Sequence, residues 1–360
     1  MPLHDILRSD TLVREAELKQ NCKRRIHPRG SSMTEGRTVR ELDLDAFLAT
    51  DFQGRIRLTN QVLDVRLWSH QQALIWTEVL DDLAARGKRT SPAGRRLMLE
   101  LIALAPDSEA AEQAYHSWIG DEDRQASPAP TIVYLIVSCH KEPYKSKAAA
   151  HYQELSVYLQ PIFILVGDAS AQEAVFDARF LTVPAPDNYE GLVWKVLEGL
   201  VAVRRKFGRV GVLKIDDDTR FIAPPRSDQI AELIAATQYA GAVAGDINFD
   251  RCWHVGKREH LGDEPYRRRF RGNWAAGPLY YLGPEAVELL VREYLFYPGE
   301  FDGEVFGFED KVIADVLRAH RLQLAPKHLS HIFGIAGPFD GAFGDQQPTP
   351  TPLKTIQREI

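Results

Sequence analysis

Three consecutive carboxylates, Asp216, Asp217 and Asp218, are the residues of this 360-residue chain whose types and spacing point most directly to chemistry. Adjacent like charges repel one another. A hard divalent cation such as Mg2+ or Mn2+ relieves that repulsion, taking one or two carboxylates plus the phosphate oxygens of a substrate. The bland alternative is a solvated acidic turn in which an Asp caps the next element. A second acidic pair, Glu309-Asp310, precedes the apolar-periodic stretch Lys311 to His320 and suits either a general base or a helix cap. His140-Lys141, Lys195 and the two imidazoles of Lys327-His328-Leu-Ser-His331 complete the set of groups able to meet a phosphate or a metal.

The elements that must carry these groups divide the chain. Residues 1–45 are polar and read as partly ordered. Residues 46–125 carry helical spacing: Leu67, Leu74, Ile75, Val79, Leu80 and Leu83 share one face, Ser91-Pro92 restarts a helix, and Ser108 to Ile119 ends at Gly120. The acidic and Pro-rich DEDRQASPAP segment is a linker. Beyond it the period changes. Thr131–Val137, Ile162–Val166 and Val210–Ile215 read as strands buried on both faces, separated by helical stretches at Ala148–Leu159 and Leu192–Phe207. That alternation predicts an α/β fold with a mainly parallel, Rossmann-like sheet over residues 131–345, helices on both faces, and an all-α N-terminal region before it. The tail, 346–360, reads as mobile. Ligands of such sheets bind at the carboxyl ends of the strands, and the acidic triplet follows the third one directly.

Composition excludes some classes. The net charge of −6 gives no basic excess for a nucleic-acid backbone, and no apolar run approaches the ~20 residues of a membrane span. Three cysteines imply no disulfide framework, and MPLHDILRSD lacks the apolar region of a secretory leader, so a cytoplasmic protein is expected.

Two chemistries use a strand-end acidic cluster. A phosphatase of haloacid dehalogenase type would use Asp216 and Asp218, but Arg220 stands where its motif has Thr or Val. Nucleotide-sugar transfer is the other. Here the flanks decide: Asp187-Asn-Tyr189-Glu-Gly-Leu192-Val-Trp-Lys195, then Lys214-Ile-Asp216-Asp217-Asp218, then Trp274-Ala-Ala-Gly277-Pro-Leu-Tyr280-Tyr-Leu282, then Phe308-Glu309-Asp310. In type, order and separation these resemble the motifs of the β-1,3-glycosyltransferases of family 31, the galactosyltransferase, N-acetylglucosaminyltransferase and Fringe group. The resemblance covers about residues 131–339. Departures at Arg271-Gly272, Lys311 and Ala314, together with the helical N-terminal half, mark a distant member, expected to be bacterial.

The resemblance implies a GT-A fold and a metal-dependent, inverting transfer from a nucleotide-diphosphate donor, UDP-linked, to a hydroxyl of a glycan or other acceptor. In its terms Asp218 binds Mn2+ or Mg2+, with Asp216 and one of His331 or His328, His331 being preferred. Asp216, Asp217, His140, Lys141 and Lys195 face the donor nucleotide, Asp310 is the catalytic base, and Glu309, Trp274 and Gly277 meet the acceptor. A catalytically silent sugar-binding module is the reading from a different class. Nothing in the helical region names a protein partner.

Overall fold

The structure is a computed structural model and describes residues 44–63, 69–87, 91–120, 130–244, 272–301 and 308–336. The expected partly ordered start, the linker and the tail lie outside the described residues.

Among the described residues five helices come first: α1 (Leu44–Ala49), α2 (Phe52–Leu63), α3 (Ser69–Ala85), α4 (Pro92–Leu104) and α5 (Glu109–Ile119). Their boundaries follow local chemistry. The hydroxyls of Ser91 and Ser108 accept from the Gly94 and Ala111 amides, and Gly120 closes α5 in the left-handed region at φ 83°.

The α/β part runs β1 (Ile132–Val137), α6 (Tyr144–Leu155), β2 (Ile162–Gly167), β3 (Val175–Phe176), β4 (Phe180–Val183), α7 (Leu192–Phe207), β5 (Gly211–Asp216), β6 (Arg220–Phe221), α8 (Ser227–Ala236), β7 (Tyr239–Ala244), β8 (Trp274–Leu282), α9 (Pro284–Phe296), α10 (Glu309–Ala319), β9 (Ala325–Pro326), α11 (Leu329–Phe333) and β10 (Ile335–Ala336). Eight strands form one mixed sheet in the order β3-β4-β2-β1-β5-β8-β7-β9, and β6 pairs with β10. The four parallel strands β4, β2, β1 and β5 are contiguous, whereas β8 runs antiparallel to both β5 and β7.

Period-two alternation along β1 splits the core in two. Val133, Leu135 and Val137 face one cluster, with α7, α9 and α10, while Ile132, Tyr134 and Ile136 face another, with α6, α8 and α11. Helices therefore cover both faces, as the uninterrupted apolar strands require. The first cluster does not stop at the linker: Trp76, Leu97, Leu101, Tyr115 and Trp118 from α3, α4 and α5 belong to it. Side chains fasten this junction. Arg95 grips both carboxylate oxygens of Glu198 at 2.6 and 2.8 Å, the Tyr294 hydroxyl donates to the same carboxylate, and the Tyr115 hydroxyl donates to Glu288. Helices α4 and α5 thus pack against α7 and α9, outside the helical layer on that face of the sheet. No helix among the described residues is long and apolar enough to cross a membrane.

Candidate functional site

The sheet has one topological switch point. From β1 the chain crosses through α6 to β2 on one side, and from β4 it crosses back through α7 to β5 on the other. Crevices form at the carboxyl ends of the strands where the order reverses. Here those ends are Val137 and Asp216, which pair directly in register. The loops that leave them, Ser138–Pro143 and Asp216–Thr219, flank the crevice, and a 2.6 Å hydrogen bond from the Ser138 hydroxyl to an Asp217 oxygen joins them.

The three aspartates have different environments. Asp216 is the last residue of β5, and its Oδ1 is an ion-pair partner of the Lys214 ammonium at 2.5 Å. Asp217 is tied to Ser138, and burial, reinforced by Asp216 and Asp218, lifts its carboxyl to about 6. Asp218 is raised by burial and by Asp216, and its carboxylate accepts the amide of its own residue. Thr219 secures the turn by donating to the Asp216 carbonyl at 2.7 Å and meeting His151 Nδ1 at 3.2 Å.

Lys214 is the hub of the site. Its buried ammonium donates to the Gly277 carbonyl at 2.6 Å, lies 3.3 Å from Glu309 Oε1 and sits 5.3 Å from the centroid of the Tyr280 ring. The Tyr280 hydroxyl donates to the same Glu309 oxygen at 2.9 Å. Burial holds the Glu309 carboxyl up, at about 7, despite the neighbouring cation. Asp310 is also raised by burial, and its Oδ1 accepts the Lys311 amide at 2.9 Å. Its other oxygen, Oδ2, faces Gly277. A Cβ built on Gly277 would stand 3.4 Å from Asp310 Oδ2 and 4.0 Å from Asp216 Oδ2. Gly277 therefore lies within van der Waals reach of two carboxylate oxygens, one from the end of β5 and one from the start of α10. Tyr189 borders this cluster, since burial followed by the charges of Asp310, Glu309 and Asp216 pushes its phenol up.

The arrangement gathers Asp216, Asp217, Asp218, Gly277, Glu309 and Asp310, and it corrects several other expectations. Lys195 is not available to a ligand: it is 2% exposed, and its ammonium donates to the Ser138 carbonyl at 2.7 Å and to Asp187 at 2.9 Å. Trp274 is a core residue, 6% exposed, with the Lys311 ammonium 4.6 Å from its ring centroid, so it is no sugar platform. Glu309 lies behind Asp310, held by Lys214 and Tyr280, and neither residue is a side-chain cap, the N-cap being Phe308.

His328 and His331 are exposed on the α11 segment. The antiparallel pairing of β10 with β6 sets Ala336 opposite Arg220, and the Arg226 amide bonds to the Ile332 carbonyl. His331 thus lies toward Arg226, at the far end of this pairing from Asp218. Among the described residues no three His, Cys, Asp or Glu side chains form a metal-ligating group. His140 and Lys141 are exposed on the β1–α6 turn. It is Lys147, one helical turn into α6, whose charge acts on both Asp217 and Asp218.

Sequence reasoning missed Lys214, Ser138 and Asp187. A usable signal existed for Lys214, because residues two apart on a strand share a face. Asp187 opens the motif that ends at Lys195, but its partners His140 and Gly167 are distant in sequence.

Asp216 and Asp218, at and just beyond the end of β5, are oxygen donors of the kind a hard divalent cation takes, and such a cation would need a diphosphate and water to complete its shell. The pair does not fit an all-protein cage. Compared with known proteins, the chain matches no family model and no curated protein.

Proposed function

We propose that this protein is a metal-dependent, inverting glycosyltransferase of GT-A type, moving a sugar from a nucleotide-diphosphate donor, UDP-linked, to a hydroxyl of a glycan acceptor. The observation that carries the reading is the convergence of two carboxylates at Gly277. Asp310 Oδ2, from the start of a helix, and Asp216 Oδ2, from the end of a central strand, come within 3.4 and 4.0 Å of the position a Cβ on Gly277 would take.

Inversion needs a base on the face of the sugar opposite the leaving diphosphate. Asp310 suits that role better than Glu309, because the Lys311 amide fixes one Asp310 oxygen and the other faces Gly277, whereas Glu309 is held by Lys214 and Tyr280. Burial makes it a stronger base than a solvated aspartate, and general-base help of this kind contributes ~10²–10⁴-fold. As the acceptor oxygen attacks the anomeric carbon, its proton passes to Asp310 Oδ2. The bond from that carbon to the diphosphate breaks, and the electron pair leaves with the diphosphate. Asp218 and Asp216 would hold Mn2+ or Mg2+, which when bound offsets the charge developing on the leaving group. Lys214 fixes Asp216, Glu309 and the Gly277 carbonyl relative to one another, so donor side and base are built as one unit.

Thermal melting with UDP, GDP, CMP and their sugar conjugates, each with and without Mn2+, tests the proposal. A ligand at 100 times its dissociation constant stabilises the fold by ~2.7 kcal/mol. A shift with UDP compounds that requires Mn2+ and is lost in Asp218→Ala supports the reading. A folded protein that responds to none of the nucleotides overturns it.

A further inference from the structure

The loop before α7 is pressed against the end of β2 more closely than a side chain would permit. A Cβ on Gly167 would meet the Ala185 carbonyl oxygen at 2.5 Å, and one on Gly191 would meet the Pro186 carbonyl oxygen at the same distance. Asn188 Oδ1 accepts the Gly191 amide at 2.8 Å and closes the loop. This packing aims Asp187 at the switch-point crevice from behind. Its Oδ1 accepts from the Gly167 amide at 2.8 Å and from Lys195 Nζ, and its Oδ2 accepts from the His140 amide at 2.6 Å. Lys195 also donates to the Ser138 carbonyl, and Ser138 donates to Asp217.

One chain of bonds therefore runs Gly167, Asp187, Lys195, Ser138, Asp217. It joins the ends of β2, β1 and β5 and the start of α7, and it binds the turn through backbone groups of Ser138 and His140 while their neighbours face outward. We infer that Asp187 is a positioning residue that sets the geometry of the Ser138–Lys141 turn against the acidic loop, and through it the affinity for the donor nucleotide rather than the rate of the chemical step. This rests on the donor-site reading above, but its geometric half stands without it. Each carboxylate oxygen of Asp187 accepts a backbone amide, and an Asn side chain cannot reproduce both, because one of its two terminal atoms is a donor.

Cys139 lies inside the turn and is part-exposed, and because burial and the charge of Asp187 hold its thiol up, its limiting alkylation rate at high pH, where the thiol is fully ionised, is the one that reports the turn's freedom. The test uses full-length protein with Cys22 and Cys252 changed to Ser, iodoacetamide as the probe, and mass spectrometry of the Cys139 peptide. Asp187→Asn is expected to speed Cys139 alkylation about tenfold and to weaken UDP binding in the presence of Mn2+ about tenfold, the factors expected for a lost charge-assisted bond. Arg292→Ala, which breaks a distant ion pair with Glu112, serves as the stability control and should change neither. In a transfer assay KM for the donor should rise while kcat stays within a factor of about two.

Unchanged alkylation and affinity in folded Asp187→Asn overturn the inference. Faster alkylation with no nucleotide binding by the parent protein sinks the glycosyltransferase reading and leaves the positioning role standing. Should Asp187→Asn not fold, Ser138→Ala breaks the same chain at its far link, and unaltered nucleotide affinity there would overturn the inference as well.

Discussion

Lys214 and Asp216 lie two residues apart on β5, and the pleat turns both to one side, so that the ammonium meets the carboxylate at 2.5 Å at the strand's end. Burying a charge is costly unless it is paired, and Lys214 at 2% exposure is paired with Asp216, with Glu309 and with a carbonyl. The cation resolves part of the repulsion within the acidic triplet without any ligand. Asp218 feels the Lys214 charge but forms no ion pair with it, and its carboxylate accepts its own amide.

Gly277 should be intolerant of side chains for a reason of space. Its backbone φ lies outside the left-handed region, and a methyl group at 3.4 Å from Asp310 Oδ2 is an ordinary contact, so Gly277→Ala should fold with a melting temperature close to the parent. Transfer should fall by at least about tenfold, since a misplaced reacting group of this kind costs up to ~10². Gly277→Val should abolish it. Full activity in a folded Gly277→Val protein would remove the observation on which the proposed function stands.

Asp310→Asn should lower kcat by ~10²–10⁴ while leaving UDP binding within a factor of two, because a base is needed only in the chemical step. Glu309→Gln should cost less, since Glu309 makes its contacts with Lys214 and Tyr280. Steady-state rates and nucleotide titrations on the two variants decide the order.

His151 gives the pH dependence a definite sign. It is 4% exposed, and burial holds its imidazole down, at about 4, so the folded protein keeps it neutral where the unfolded chain protonates near pH 6.5. A depressed base contributes stability that is full above the unfolded value and is lost as pH falls from about 6.5 toward 4. The loss is on the order of 2–3 kcal/mol. Urea unfolding of His151→Gln should therefore show a shallower fall across that window than the parent. Parallel curves would mean that His151 is already solvated.

Breaking the junction between the helices and the sheet should be expensive. Glu198→Ala leaves the Arg95 guanidinium without its carboxylate inside the core, and removing one partner of a buried pair costs ~3–5 kcal/mol. Replacing both, as Arg95→Met with Glu198→Leu, should recover most of that loss in chemical denaturation. If Glu198→Ala costs no more than ~1 kcal/mol, the pair behaves as a surface ion pair and the helical layer is only loosely attached.

Much of the scaffold was legible because it is local. Ile132–Val137, Ile162–Gly167 and Gly211–Asp216 announce themselves as apolar runs, Ser91, Ser108 and Gly120 mark helix ends by their own chemistry, and the aspartates follow a strand whose end is the binding edge. What escaped depends on distance. Lys195 looked like a ligand because it is charged, and only the fold shows that Ser138, 57 residues earlier, and Asp187 occupy its ammonium. His331 looked like a metal ligand because it stands near the end of the fold, but chain direction decides the matter. β10 runs antiparallel to β6 and sets Ala336, not His331, opposite Arg220.

That same pairing has a consequence for how the molecule is made. Phe221, three residues past the acidic triplet, takes its strand partner from Ile335, 114 residues later. During synthesis at ~5–20 residues per second, the edge beside the triplet must wait roughly 6–23 s for that partner to emerge. The strands β1, β2 and β5 can assemble in the meantime, because every one of them is already outside. The short strand β6 just beyond the triplet thus gains its partner only after β1, β2 and β5 have paired.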